Sequence, residues 1–236
     1  MKNKEIPFVQ SMFDAIAPRY DFLNRLLSLR QDTLWRRRAV RSLQLPEKGR
    51  VLDVACGTGD VAMEVIRQHP RAWVTGVDFS EKMLEIGREK IRVCGMGASI
   101  ELKPANALHL PFEENSFDAI TIAFGIRNIQ DREKALDEFY RCLKPAGRLA
   151  VLELATPPEG PLRKLYLLYF KRILPLIGGL FSSNFAYTYL PDSVMAFPGP
   201  SDFAEKIQSR GFQNVAFRPF TLGVATLYTG QKPPIA

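Results

Sequence analysis

Histidine and cysteine are scarce in this chain of 236 residues, with two of the first and three of the second. His69 and His109 stand far apart, and Cys56, Cys94 and Cys142 form no close pair. The sequence therefore offers neither a His-rich metal site nor a CxxC motif for zinc or redox work. An odd, sparse set of thiols builds no disulfide framework, and reduced cysteines in a cytosol are the expectation. Long apolar runs are missing too. Residues 173–180 (ILPLIGGL) come nearest, but they are too few to cross a bilayer and are interrupted by Pro175 and the Gly178-Gly179 pair. Residues 1–10 hold no apolar stretch, so no secretory signal is expected. Acidic charge is in deficit: 32 Lys and Arg face 25 Asp and Glu, a formal net charge of +7, which suits an anionic partner.

The remaining composition, 46% hydrophobic and 24% charged, supports a buried core, and the length fits one α/β domain with modest insertions. Residues 1–49 read as helices at 9–16, 20–29 and 33–43, the last crowded with Arg36, Arg37, Arg38 and Arg41. Residues 50–155 alternate strands (51–55, 73–77, 99–102, 117–124, 148–154) with helices (60–68, 81–93, 131–143), which predicts parallel βαβ units with right-handed crossovers. Residues 156–200 break that rhythm. Leu165, Tyr166, Leu168, Tyr169, Phe170, Ile173 and Leu174 are interleaved there with Arg163, Lys164, Lys171 and Arg172, a texture suited to an apolar lid. Residues 201–236 read as a helix at 201–210 and strands at 214–218 and 224–229.

The most informative segment is 51–60 (VLDVACGTGD), a buried strand running into a glycine turn and then a helix. Glycines let the backbone approach a ligand closely, and open α/β sheets bind ligands at the carboxyl ends of their strands. Gly57, Gly59 and Ala62 also fit the loose dinucleotide fingerprint. A dinucleotide sets its pyrophosphate at the helix N-terminus, where Asp60 would repel it unless turned away. Asp53 lies close by on the strand. S-adenosylmethionine has no phosphate and carries an ammonium and a sulfonium, which acidic residues tolerate. Asp78, ending the second strand, can accept from both hydroxyls of a ribose. It indicates adenosine rather than one cofactor, with a helix cap as the other reading, although Ser80 is the better cap. Asn106 and Ala107 follow the third strand, where an adenine ring would lie; a plain turn is the alternative.

Taken in order, Asp53-x-x-Cys56-Gly57-x-Gly59, Asp78, Asn106-Ala107, Phe117-Asp118 and Leu143-Lys144-Pro145-x-Gly147 resemble the class I methyltransferase motif series. The flanks narrow the likeness. Residues 12–24 (MFDAIAPRYDFLN), Leu34-Trp35-Arg36, the run 121–128 (TIAFGIRN), Tyr187-x-Tyr189-Leu190 and Phe197-Pro198 are similar to the quinone-ring C-methyltransferases, which act in menaquinone and ubiquinone synthesis. The likeness covers nearly the whole chain. It implies an α/β fold with a doubly wound, seven-stranded, mostly parallel sheet, N-terminal helices and a helical insertion after the fifth strand, and S-adenosyl-L-methionine as cofactor. Thr58, Asp78, Asn106 and Ala107 carry over as cofactor contacts, with Asp53, Gly57 and Gly59 in the same cradle. Tyr20 is expected over the cofactor's amino-acid end, core packing being its other reading. Many members have Ser where this chain has Ala123, so that hydroxyl contact is absent.

The activity implied is C-methylation of a reduced polyprenyl quinone. Demethylmenaquinol is favoured because the family is broadly distributed with that activity, and the ring type stays open. A hydroquinone carbon becomes nucleophilic as a phenolic proton leaves. Arg127, always protonated, is expected to stabilise the phenolate, with Asn128 placing a water that takes the proton; a surface or structural ion pair is the alternative for Arg127. Asp118 is the weaker base, since it begins its strand. A membrane-bound substrate implies a cytoplasmic protein with transient contact at the inner face of the membrane, through residues 157–190; an ordinary insertion packing on the core or on a second subunit weighs equally, and a homodimer stays open. Nucleic acid is not expected, because the arginine helix has no stacking-aromatic platform beside it. Three rival readings remain: a methyltransferase for another lipid or small molecule, a non-catalytic cofactor-binding assembly protein, and an NAD-dependent oxidoreductase.

Overall fold

The structure, a computed structural model, describes residues 6–168 and 184–234. A seven-stranded sheet runs through it in the order β3-β2-β1-β4-β5-β7-β6. The strands are β1 (Arg50–Val54), β2 (Trp73–Asp78), β3 (Ile100–Pro104), β4 (Phe117–Ala123), β5 (Leu143–Leu154), β6 (Gln213–Phe220) and β7 (Ala225–Gln231). The first five pair in parallel, and β7 inserts antiparallel between β5 and β6. The α/β, doubly wound, mostly parallel sheet expected from the sequence is what forms.

Both faces of this sheet are covered, as parallel strands require, and the side chains sort by the two-residue period. Val51, Ala119, Ala150 and Leu152 enter the core cluster beneath α3 (Gln31–Ser42) and α4 (Asp60–Gln68). Leu52, Ile120, Leu149 and Val151 enter the opposite one, beneath α6 (Arg132–Cys142) and α9 (Pro200–Ser209). Helix α5 (Glu81–Val93) starts at Ser80, whose hydroxyl accepts from the Met83 N–H; α6 starts at Asp131, which accepts from the Lys134 N–H. Each satisfies an end donor that has no partner within the helix.

Helices α1 (Ile6–Ile16) and α2 (Tyr20–Leu27) lie over the carboxyl ends of the strands, joined by a short turn holding Pro18. The helical insertion expected after the fifth strand forms as α7 (Pro161–Leu168) and α8 (Asn184–Met195, with Pro191 inside), whose bounds the sequence did not set. Tyr166 and Val194 pack with Leu23 of α2, so one side of the described insertion joins the core, while Leu168 and Met195 are exposed. Tyr169, Phe170, Ile173 and Leu174, and the Leu165 side chain, lie outside the described residues. Strand β5 also begins earlier than the expected 148, because Leu143 pairs with Phe117 before a register shift.

Candidate active site

The β1–α4 turn makes the floor. Gly57 and Gly59 have φ of +54° and +78°, the left-handed region that side chains rarely adopt. The turn brings the Gly57 N–H to 2.8 Å from Asp78 Oδ2, while the Ser80 N–H lies 2.9 Å from Oδ1. Each oxygen of Asp78 keeps a further lone pair for a ligand hydroxyl. Burial holds this carboxyl above its ordinary pKa.

A cavity of about 150 Å³ opens here, lined by Gly57, Asp78, Phe79, Asn106, Ala107, Ala123, Gly125 and Asn128, with Phe13 and Tyr20 above. A Cβ on Gly125 would stand 2.7 Å from Ala55 Cβ, so glycine keeps this wall open. Ala107 and Asn106 sit at the rim as expected. The Asn106 side chain accepts from the Leu108 N–H at 2.9 Å and its backbone carbonyl accepts from the His109 N–H at 3.0 Å, so both shape their own loop. Ala123 lines the wall without a hydroxyl.

Next to this cavity lies a smaller one, lined by Tyr20, Arg36, Asp53, Gly57, Thr58, Asp60 and Ala123. Asp53 is 1% exposed, and its Oδ2 has no hydrogen-bond partner. Burial pushes its pKa up to about 8, against the lowering effect of the Ala62 N–H and Arg36. An orphaned carboxyl of this kind is a seat for a cation. Thr58 is present but its hydroxyl is taken: it donates to Asp21 at 2.6 Å and accepts from Lys90 at 3.0 Å. Gly59 packs on Ile91 and serves the turn. Asp60 is drawn to cations, Lys90 at 2.7 Å, Arg25 at 3.7 Å and Arg36 at 3.8 Å; burial works to raise its pKa, but Arg36 and Lys90 hold it below the usual value. Its charge is thus compensated, which weakens the repulsion argument drawn from its position, and the unpaired acid is Asp53.

A third cavity, about 130 Å³, backs onto the first. Met12, Ile16, Leu23, Leu27, Trp35, Leu154, Leu190 and Val224 make most of its wall apolar, and its polar points are Asn24, Ser28, Asp32, Arg36, Arg127 and Tyr189. Phe13, Tyr20 and Phe124 line both cavities. The Arg127 guanidinium bonds Glu153 at 2.9 Å and also the Phe124 carbonyl, and the Arg127 N–H donates to Glu153 at 3.1 Å. Glu153 is wholly buried at the end of β5. So Arg127 faces the apolar cavity as half of a buried ion pair, which is the structural pairing kept as its alternative and not the surface one. Asn128 lies on the other side, in the first cavity, and its Oδ1 accepts from the Tyr189 hydroxyl at 3.1 Å. Asp118 binds the Arg50 N–H and Lys144 at the far end of β4, a structural role.

Sequence reasoning missed three members of this site. Arg36 looked like one arginine of a basic run, yet Asp32, one helical turn back, pairs with it on the inner side of α3, and Phe124 lies 5.2 Å below it. That i,i+4 spacing was the available signal. Glu153, in RLAVLEL, stood out only as an acid in a buried strand. Tyr189 was quoted for likeness without a role.

The sheet order with one antiparallel strand, together with a glycine-turn cavity facing an acid at the end of β2, defines a class I methyltransferase fold. A solved S-adenosylmethionine-dependent methyltransferase from Thermotoga maritima superposes with a TM-score of 0.66 at 22% identity, over 94% of this chain and 99% of that one. The cyclase SpnF superposes at 0.72 with 17% identity, over 96% of each chain, so the fold by itself does not fix the reaction. Sequence goes further. The chain belongs to the ubiE/COQ5 methyltransferase family, whose model matches residues 1–232. It is 50% identical over 225 residues to the "Ubiquinone/menaquinone biosynthesis C-methyltransferase UbiE" of Geobacter sulfurreducens, covering 95% of this chain and 88% of that one. It is 49% identical over 223 residues to the "Demethylmenaquinone methyltransferase" of Thermus thermophilus, covering 94% and 100%.

Proposed function

We propose that this protein methylates a ring carbon of a reduced polyprenyl quinone, demethylmenaquinol first, with S-adenosyl-L-methionine as donor. One observation carries the reading: a cavity built for an adenosine abuts an apolar one, and Phe13, Tyr20 and Phe124 are the shared wall. The residues present fit the donor. Asp78 offers lone pairs to ribose hydroxyls, Asn106 and Ala107 edge the place of the base, the orphaned Asp53 suits the ammonium, and Arg36 suits the carboxylate. When bound, S-adenosylmethionine supplies an electrophilic methyl on a sulfonium.

The chain's own work is alignment and charge. Leu23, Leu27, Leu154 and Val224 exclude water from the ring, and Phe124 and Tyr20 fix its distance from the first cavity. Alignment of this sort accounts for roughly 7–11 kcal/mol of a barrier. Arg127 stabilises the phenolate as it forms, and Glu153 behind it fixes the guanidinium in place. Asn128 and Tyr189 hold the water that takes the phenolic proton. Overall, the donor's carbon–sulfur bond and the ring's C–H bond break, a carbon–carbon bond forms, the phenol regains its proton as the ring rearomatises, and one proton is released.

Among the described residues no helix is long and apolar enough to cross a membrane. A polyprenyl tail confines the substrate to a bilayer, so the enzyme works from the cytoplasmic face against its surface. The test is methyl transfer from labelled S-adenosylmethionine to chemically reduced demethylmenaquinone and to a demethoxy-ubiquinol analogue, side by side. Label on the naphthoquinol is the expected result. Label on neither ring, with donor binding intact, overturns the substrate assignment.

A further inference from the structure

Helix α2 is apolar on two faces, which one core cannot explain. Its inner face, Tyr20, Leu23 and Leu27, walls the apolar cavity. Its outer face carries Phe22, Leu26 and, in the turn beyond, Leu29, at spacings of four and three; they are 57%, 41% and 81% exposed, and Leu34 at the start of α3 is 43% exposed. A continuous exposed apolar stripe marks an interaction surface. Leu29 and Arg30 sit at the turn with φ of +50° and +62°, a conformation side chains avoid, pinned by the Arg30 N–H to the Arg25 carbonyl at 2.7 Å. That backbone carries a leucine and an arginine outward together.

The surrounding charge names the partner. Residues 19–41 contain seven arginines against two acids, Asp21 and Asp32. Both acids are engaged inside, Asp21 by Lys90 and Asp32 by Arg36. Arg30 is exposed at the turn, and Arg37, Arg38 and Arg41 are exposed along α3, although Arg37 also pairs with Glu64 at 3.7 Å and Arg38 lies over the Phe220 ring. A two-fold pairing of this face with a second copy would set arginine against arginine. An anionic lipid surface answers both features, taking leucine and phenylalanine among its headgroups and arginine at its phosphates.

We propose that the outer face of α2, with the turn after it and the basic face of α3, docks this protein on an anionic bilayer. The inference rests on the quinol reading and gives the tail its route. Cavity and lipid are then separated by one helix, about 10 Å, so the ring enters past α2 while the tail stays in the bilayer.

The experiment is co-sedimentation of the full chain with phosphatidylcholine vesicles, with and without phosphatidylglycerol, for the wild type, for F22S/L26S/L29S and for R30Q. Binding is expected only with phosphatidylglycerol. R30Q should lower it about fivefold, the weight of one cation near such a surface, and the triple variant about tenfold or more. The triple variant should keep wild-type turnover of a tail-less quinol in solution and lose turnover of a long-tailed quinol in vesicles. Equal partitioning of wild type and triple variant overturns the proposal. So does a wild type that ignores both vesicles, or a wild-type dimer that the triple variant splits. A wild type that binds vesicles but methylates no quinol sinks the substrate reading alone and leaves the docking surface standing.

Discussion

Asp53 is a carboxyl placed where a carboxylate is costly. Its native pKa of about 8 stands above the value of roughly 3.9 expected in the unfolded chain. Between those values the folded protein holds a proton that the unfolded chain has lost. The stability this contributes is complete below about pH 4 and declines as pH rises towards 8. Asp53→Asn should therefore flatten the fall of the ligand-free melting temperature between pH 5 and 8, which differential scanning fluorimetry would read. The same group predicts proton release. Capture of the cofactor's ammonium at pH 7 should expel about one proton, visible when titration enthalpies are compared across buffers, and Asp53→Asn should abolish that release and weaken binding about tenfold or more. Arg127 is the contrasting case, since among the described residues it lines the apolar cavity and not the first one. Arg127→Ala should leave cofactor affinity unchanged and cut kcat by about 10²–10³. Wild-type turnover in that variant would remove it from the mechanism. Both residues could be picked from sequence, Asp53 by its strand and glycine turn, Arg127 by its place after β4. Glu153, the partner that defines what Arg127 can do, could not, because the contact joins positions 26 apart, one in the turn after β4 and the other at the end of β5.

Helices α1 and α2 were legible from periodicity, but their attachment was not. They are fastened over the cofactor cavity by Gln10 to the Phe79 carbonyl at 3.1 Å, Ser80 to Asp14 at 2.5 Å, and Thr58 and Lys90 to Asp21 at 2.6 and 2.5 Å. These partners lie between 37 and 69 residues apart in the chain, beyond any local pattern. The strands and helices of the sheet, by contrast, follow from apolar spacing that repeats within each element, so they were read nearly in full. Where Pro157, Pro158 and Pro191 interrupt the pattern, the insertion could be read as helical but the bounds of α7 and α8 could not. Lys90 is the latch shared by Asp21 and Asp60, all three half-shielded from water. Lys90→Met should free α2 from α5 and leave two acids facing each other. Hydrogen exchange in residues 10–27 should quicken and cofactor affinity should fall about three- to tenfold, the range between exposed and buried pairs. Unchanged exchange would mean that apolar packing alone seats these helices.

At the scale of the whole molecule the two cavities are not independent, because α1 and α2 roof both and Phe13 and Tyr20 belong to both. A ligand in the first must find those helices closed, and closing them completes the second. The apolar wall contributed by Met12, Ile16, Leu23 and Leu27 comes wholly from α1 and α2. Binding of cofactor and quinol should then be positively coupled, with the cofactor first, since the donor's polar contacts to Asp78 and the glycine turn do not need the second cavity while the ring needs the roof. Coupling of this kind is reciprocal: S-adenosylhomocysteine should tighten an unreactive quinol analogue by some factor, about fivefold or more, and the analogue should tighten S-adenosylhomocysteine by that same factor. Two titrations, each ligand with and without the other, measure it. Lys90→Met should shrink both factors together. A coupling factor of one in the wild type would make α1 and α2 a fixed wall, and entry past α2 would then need no motion of the helix at all.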